Sequence, residues 1–376
     1  MVRVIVGDIF ASRAQTLVNT VNCVGVMGAG IALEFKRRFP EYYEDYRERC
    51  KQGKVKLGSP YLYKRLGPPW ILSFPTKDHW RSMTRLDDIV RGLEWIQKHY
   101  KEWGIESLAV PPLGAGHGQL EWRVVGPTLY RYLKLMDIPV ELYAPYGIPN
   151  TELRPEFLEE MGASSQRPPQ IPDPRWLSPA LVAVVEILKR IGEQPYRKPI
   201  GRTVFQKIAY LATEEGLPTG LEFRKSSFGP FAPDLKKAMT RLLNNGLIEE
   251  AKMGRMWNIR LGPTYEDARR AYETHLTTWN PIIDRIADLL IKTGLDTNTA
   301  EIATSVIFAA RRLKEIQGGA VSEIDVLRAV LDWKRKRRPP LDEGQVAYAI
   351  RYLAGLGWID VSPSDELRIP QVELAA

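Results

Sequence analysis

Cysteine is scarce in this chain. Its 376 residues include only Cys23 and Cys50, which form no CxxC pair. Neither a disulfide framework nor a cysteine-based metal site is expected, and a reducing cytoplasm suits such a chain. Histidine is almost as rare: His79, His99, His117 and His275 show no HxxxH or HExxH spacing. No metal ion is therefore expected. No apolar run approaches the ~18 residues that would cross a bilayer, so no membrane association is expected. The opening "MVRVIVGDIF" reads as a strand and a turn, not as a signal peptide. Acidic excess is missing as well. The net charge is +8; residues 1–155 hold 22 Lys and Arg against 16 Asp and Glu, and the remainder holds 31 against 29. The first part thus carries +6 of the excess. A polyanionic partner such as nucleic acid would suit that charge, and solubility alone would also account for it.

What is present is ordinary globular material, 44% apolar and 26% charged, long enough for two or three domains. Residues 1–145 alternate strand and helix patterns. Strands are expected at "VRVIVGD", "TLVNTVN", "SLAVPPLG" and "PVELYAP", and a hairpin at "PYLYKRL" and "WILSFPT". Helices are expected over 29–39, 41–51, 85–103 and 121–136; in the third, Leu86, Ile89, Val90, Leu93 and Ile96 recur at helical spacing. Such alternation predicts a three-layer α/β domain over 1–150. The segment 151–178 is rich in proline and short polar residues and reads as a linker. Residues 179–376 are mostly helical, over roughly 179–192, 202–215, 232–245, 265–292, 298–317, 321–336 and 342–356. Two stretches there echo each other. Leu242 to Glu249 and Leu353 to Asp360 both read as a helix end, a glycine stop and an acidic strand. Helix, glycine cap and hairpin form the tail of a winged helix, so two winged-helix-like units are expected.

The chemistry concentrates in two glycine loops. Gly25, Gly28 and Gly30 follow an apolar strand and precede a helix; Gly114, Gly116 and Gly118 do the same further on. A helix start offers unpaired N–H groups, and glycine lets the backbone close on a phosphate. The G-x-x-G-x-G spacing is neither the dinucleotide fingerprint nor the P-loop, so nicotinamide oxidoreductase and kinase readings find no support. Two such loops at strand ends could clamp a diphosphate from both sides. Asn19 and Asn22 flank the first loop, where an amide can both donate to and accept from ribose hydroxyls. Asp8 closes the first strand and could accept from an exocyclic amine. Lys77 follows the strand "WILSFPT", with Arg81 one turn on. Partly stripped of water beside another cation, its amine would become a nucleophile; an ordinary solvated lysine is the alternative.

"VGDI" (6–9), "NTVN" with "GVMGAGIA" (19–32) and "PPLGAGHG" (111–118) together resemble the macrodomain family, over about 1–148. The resemblance implies a three-layer α/β/α fold with a mixed sheet that binds ADP-ribose without a cofactor. Asp8 and Ile9 would hold the adenine. Asn22, with Asn19, would meet the distal ribose. Gly28, Ala29, Gly30 and Ile31 of the first loop, and Gly114, Ala115, Gly116, His117 and Gly118 of the second, would hold the pyrophosphate. "PTKDHW" (75–80) looks like the lysine segment of the subgroup that contains the terminal ADP-ribose protein glycohydrolase and the DarG antitoxins. The resemblance makes Lys77 the catalytic residue of an ADP-ribosyl glycohydrolase. Where the human glycohydrolase has an aspartate in the second loop, this chain has Gly118. Release of a lysine adduct then falls to His117, Asp78 or ordered water, and the departure favours DNA over protein as substrate.

Other candidates carry less. Cys23 is read as a small buried residue, because no base is placed for it. His79 is read as a surface or ion-paired group, and Trp80 and Trp122 as packing or lid residues rather than base-stacking platforms. "WKRKRRPP" (333–340) reads as a solvated helix end more readily than as a nucleic-acid patch. A macrodomain, a linker and a helical region again resemble the DarG family, whose C-terminal part binds and blocks the DNA ADP-ribosyltransferase toxin DarT. The resemblance implies ADP-ribosylated DNA (single-stranded, modified on thymidine) as substrate, ADP-ribose as product, and a DarT-like toxin as partner of residues 179–376. A non-catalytic ADP-ribose reader and a winged-helix transcription regulator are the alternatives.

Overall fold

The computed structural model describes residues 1–115, 120–159, 177–194, 198–253, 256–294 and 296–368. Most of the expected linker lies outside them. In chain order the first elements are β1 (Val2–Ile5), β2 (Thr16–Asn22), α1 (Gly30–Arg38), α2 (Pro40–Lys51), β3 (Tyr61–Tyr63), β4 (Trp70–Lys77), α3 (Leu86–His99), β5 (Leu108–Val110), α4 (Trp122–Leu133), β6 (Val140–Tyr143) and α5 (Pro155–Glu159). Then follow α6 (Pro179–Gly192), α7 (Arg202–Glu214), β7 (Arg224–Ser226), β8 (Gly229–Phe231), α8 (Leu235–Asn244), β9 (Ile248–Met253), β10 (Met256–Leu261), α9 (Tyr265–Ala271), α10 (Glu273–Lys292), α11 (Thr297–Gln317), α12 (Glu323–Trp333) and α13 (Glu343–Gly355).

The six N-terminal strands form one sheet in the order β1-β6-β5-β2-β4-β3. All neighbours run parallel except β3, which pairs antiparallel with β4 as the expected hairpin. A sheet of parallel strands buried on both faces needs two cores, and the alternation of side chains supplies them. Val18, Leu72 and Phe74 point to one core with Ile89, Leu93 and Ile96 of α3 and Val125 and Leu129 of α4. Leu17, Val21 and Ile71 point to the other, with Phe35 of α1 and Tyr42 and Tyr46 of α2. This is the mixed sheet between helical layers that the macrodomain resemblance implied.

The chain divides into two compact units. The first comprises residues 1–172 together with 240–248 and 262–271, so two short downstream segments are part of it. Within this unit the Asn244 side chain donates to the Thr84 carbonyl at 2.8 Å, and the Glu121 N–H donates to the Asn244 carbonyl at 2.8 Å. Arg123, nearly buried, pairs with Asp267 at 2.6 Å.

The second unit is largely helical. α6 is apolar almost all round, from Ala180 to Leu188, because it is buried on every side. Three expectations for residues 179–376 change. The long helix 265–292 is two, α9 and α10, broken at Tyr272, whose backbone leaves helical geometry (φ −113, ψ 22). Of the two winged-helix echoes, the first has its stop, Gly246 (φ 72), and its β9–β10 hairpin. The second has its stop at Gly357 (φ 69), but the described residues after it make only an isolated bridge between Ser322 and Ser362. Finally, "WKRKRRPP" is not simply a solvated helix end. Lys334, 1% exposed, pairs with the equally buried Glu301 at 2.8 Å, and Arg337 joins that carboxylate at 3.2 Å. Among the described residues no helix is long and apolar enough to cross a membrane.

Candidate functional site

Because β1, β6, β5, β2 and β4 run parallel, the loops after them leave from the same edge of the sheet. Three of these strands are immediate neighbours: β5, β2 and β4. β2 leads into the first glycine loop and β5 into the second. β4 ends on Lys77. The ends of adjacent parallel strands are where open α/β sheets receive ligands.

The first loop is shaped by Asn22. Its side-chain oxygen accepts from the N–H groups of Val24 at 3.0 Å and Val26 at 3.3 Å, and its amide donates to the Val26 carbonyl at 2.6 Å. The Tyr46 hydroxyl of α2 donates to the Asn22 carbonyl at 2.8 Å and lies 3.1 Å from its side-chain oxygen. Asn22 therefore folds the loop rather than standing free beside it. Gly28, Ala29 and Gly30 are exposed, and Ile31 is half-buried. Gly30 enters α1 from a left-handed conformation (φ 56), and Ala29 at the helix start supplies no capping side chain. The first N–H groups of α1 thus face outward beside a bare backbone, a geometry suited to an anion.

The second loop is fixed at its root. Gly114 has φ +78, and a Cβ there would stand 2.5 Å from Leu120 and 2.9 Å from Thr84. Its carbonyl accepts from the Leu120 N–H at 3.1 Å, closing the loop. Ala115 is half-buried. Gly116, His117 and Gly118 lie outside the described residues.

Lys77 stands next to the first loop. The pairing of β2 with β4 skips Thr76, so Val21 lies opposite Pro75 and Asn22 opposite Lys77. Such an irregularity re-aims a strand end. The Cys23 N–H donates to the Lys77 carbonyl at 3.0 Å, which ties the two strand ends together. Lys77 is half-buried, and loss of solvent holds its ammonium below the usual lysine range. The following residues form a tight turn. Asp78 accepts from the His79 N–H at 2.7 Å, the His79 ring accepts from the Arg81 N–H at 3.2 Å, and the Ser82 N–H donates to the His79 carbonyl at 2.9 Å. A bond from Ser82 leads the causes that keep the Asp78 carboxyl below its usual range.

The remaining sequence candidates separate. Asp8 caps a short turn over Ile9–Ala11 by accepting from the Phe10 N–H at 3.0 Å, and is otherwise exposed; Ile9 is buried in the core. Asn19 does not reach the cradle. It is fully buried in β2, with its amide donating to the Tyr42 hydroxyl at 3.1 Å and facing Met27. Its amide N–H groups are thus directed to core side chains. Cys23 is held neutral, its thiol pushed up to about 11 by burial first and by Cys50 and Asp78 next. Trp122 is buried and donates to the Glu152 carbonyl at 3.2 Å, so it packs, whereas Trp80 is 48% exposed. Sequence reasoning missed Tyr46. Its signal was its place in "EYYEDYRERC", where Tyr42 and Tyr46 fall one helical turn apart in a stretch otherwise mostly charged.

Residues 18–129 match the Macro domain family. The chain is 36% identical over 246 residues to the DNA ADP-ribosyl glycohydrolase of Thermus aquaticus, covering 64% of each chain. It is 45% identical over 172 residues to a DNA ADP-ribosyl transferase–DNA ADP-ribosyl glycohydrolase fusion protein of Thermosipho africanus, covering 40% of this chain and 44% of that one. Among solved structures, the macrodomain of Mycobacterium tuberculosis DarG is 44% identical, with a TM-score of 0.37, over 39% of this chain and 98% of that one. The chain thus spans about half to two thirds of the length of the curated relatives it matches.

Proposed function

We propose that this chain, whose residues 18–129 belong to the macro domain family, is an ADP-ribosyl glycohydrolase that removes ADP-ribose from DNA through Lys77. The observation that carries the reading is the adjacency of β5, β2 and β4, with a glycine loop after each of the first two and a half-buried lysine at the end of the third. The loops around Gly28–Ile31 and Gly114–Gly118 hold the pyrophosphate. Asp8 and Ile9 meet the adenine, and Asn22 sets the loop beside the distal ribose. Lys77 then faces the anomeric carbon.

In the first step the neutral Lys77 amine attacks C1″. The bond from C1″ to the nucleobase breaks, and the departing base takes the proton that the amine gives up. The resulting glycosylamine opens to an imine. Water adds at C1″, the carbon–nitrogen bond to Lys77 breaks, and ADP-ribose leaves with the lysine restored. Each step conserves atoms, and no oxidant or metal is consumed. DNA as substrate is supported by the names of the relatives above and by the +6 charge of residues 1–155. Residues 179–376 bind the transferase that writes the mark, a reading supported by the relative in which transferase and glycohydrolase are fused.

The test is direct. An ADP-ribosylated single-stranded oligonucleotide and an ADP-ribosylated protein are incubated with the chain in parallel. Release of ADP-ribose from the oligonucleotide is expected, with little from the protein. Lys77→Ala should abolish release while binding ADP-ribose within about threefold of the parent. Full turnover by that variant would remove Lys77 from the reaction. A transferase that fails to co-purify with the full chain would end the partner assignment.

A further inference from the structure

The half-exposed tryptophan just past Lys77 has no role in the cradle. Trp122, the other tryptophan of the sequence reading, is buried at 2% exposure; Trp80 is 48% exposed on a turn whose backbone is held at Asp78, His79 and Ser82. What sets Trp80 apart from the other exposed aromatics, such as Tyr146 and Phe228, is its place: a hydrogen-bonded turn that begins at Lys77, with a guanidinium on its ring. The Arg81 guanidinium lies over the ring at 4.5 Å from its centroid, and the His79 ring is 5.3 Å away. Arg81 and Arg85 are exposed, and the Arg85 charge helps to hold the Asp78 carboxyl low. The one carboxylate in the turn, Asp78, is already engaged by the His79 N–H and by Ser82. Trp80 lies three positions after Lys77, so the two backbones are within about 10 Å of each other.

From this we infer that Trp80 and Arg81 form a subsite for the nucleic-acid part of the substrate: an unpaired base beside the modified nucleotide stacks on Trp80, and Arg81 with Arg85 meets the adjoining phosphates. The inference rests on the glycohydrolase reading and adds where the strand lies. Its chemistry is general. Every base has a π-face, so an aromatic platform beside exposed cations holds single strands with little sequence preference. Duplex DNA keeps its bases stacked on each other, so the subsite selects single strands or frayed ends. Because the turn is already ordered, binding loses little to ordering the protein.

The experiment uses the full chain and three readouts: affinity for free ADP-ribose, affinity for an unmodified fluorescent oligothymidine, and KM and kcat on the ADP-ribosylated oligonucleotide. Trp80→Ala should leave ADP-ribose affinity within about twofold, weaken oligothymidine about tenfold, and raise KM by a similar factor with kcat nearly unchanged. Trp80→Phe should recover most of the loss, and Arg81→Ala should flatten the salt dependence of oligothymidine binding. Unchanged oligothymidine affinity and KM in Trp80→Ala would overturn the subsite while leaving the hydrolase intact. So would an equal loss of free ADP-ribose affinity, which would make the ring part of the cradle. A parent chain that binds oligothymidine through Trp80 but releases no ADP-ribose would instead sink the hydrolase reading and keep the subsite.

Discussion

At residue scale, the proposed reaction turns on Lys77, whose amine must be neutral to attack. Burial lowers its affinity for the proton, so the reactive form gains population at lower pH than in a solvated lysine. The sign follows: kcat should rise with pH through that lowered value and then level off. A flat profile, or one that falls with rising pH, would be incompatible with amine attack. Lys77→Arg keeps the charge but never sheds its proton in this range, so it should be as inactive as alanine. The loop beside it offers a second test. Tyr46→Phe removes the hydroxyl that donates to Asn22. A buried acceptor losing its donor costs about 1–3 kcal/mol, part of which is spent on the loop. Calorimetry with ADP-ribose should show several-fold weaker binding, while catalytic pH dependence stays that of the parent. Asn19 and Asn22 looked alike in the sequence. They differ because one lies mid-strand in the core and the other at the strand's end, a distinction of three residues that composition does not carry.

At element scale, the periodic parts of the chain were legible. The amphipathic stripe of α3 and the continuous apolar runs of β2 and β4 follow from burial, and burial leaves its mark on sequence. The order of the strands was not legible, since nothing in "SLAVPPLG" says that it will lie beside "TLVNTVN". Yet that order is what puts the starts of the two glycine loops side by side, after β2 and β5. The irregularity at Thr76 was equally hidden, because a skipped pairing is a property of two strands. The second winged unit failed for the opposite reason. A helix, a glycine and an acidic strand-like run are local signals, and the hairpin needs a partner strand that the described residues after Gly357 do not supply. The second glycine loop makes the element-scale prediction. Gly114→Ala adds a methyl 2.5 Å from Leu120 at φ +78, combining overpacking with a left-handed backbone, for about 2–4 kcal/mol together. Gly53→Ala is the control: it has a similar φ of +66 and nothing within 4 Å. The first should lose most ADP-ribose affinity and melt earlier; the second should bind normally and melt only slightly early.

At the scale of the whole molecule, the chain manages buried charge differently in its two units. In the first, Arg123 lies between two carboxylates, Glu121 at 3.9 Å and Asp267 at 2.6 Å, the second from a segment more than a hundred residues downstream. The 1–150 boundary expected from composition therefore cuts across interactions internal to that unit. In the second, three cations surround one carboxylate: Glu301 pairs with Lys334 and Arg337, while Lys207 is buried close by and donates to the Phe228 carbonyl. Burial first and Lys334 second bring Lys207 down to about 8, with Glu301 opposing. In the unfolded chain the same amine keeps its ordinary value near 10.4. Between these values the unfolded state binds the proton and the folded state does not, so stability must rise with pH across that window. Below pH 8 the penalty of a buried ammonium is fully present, at most about 3 kcal/mol. Lys334 is shifted the same way by burial and adds to the slope. Urea unfolding of the full chain at pH 7.5 and at pH 9.5, followed by a probe in the second unit, should therefore show greater stability at the higher pH. Lys207→Met removes the titrating group and should flatten much of that rise. A parent whose second unit loses stability over the same interval would mean that Lys207 is not held in the folded state as a strained cation.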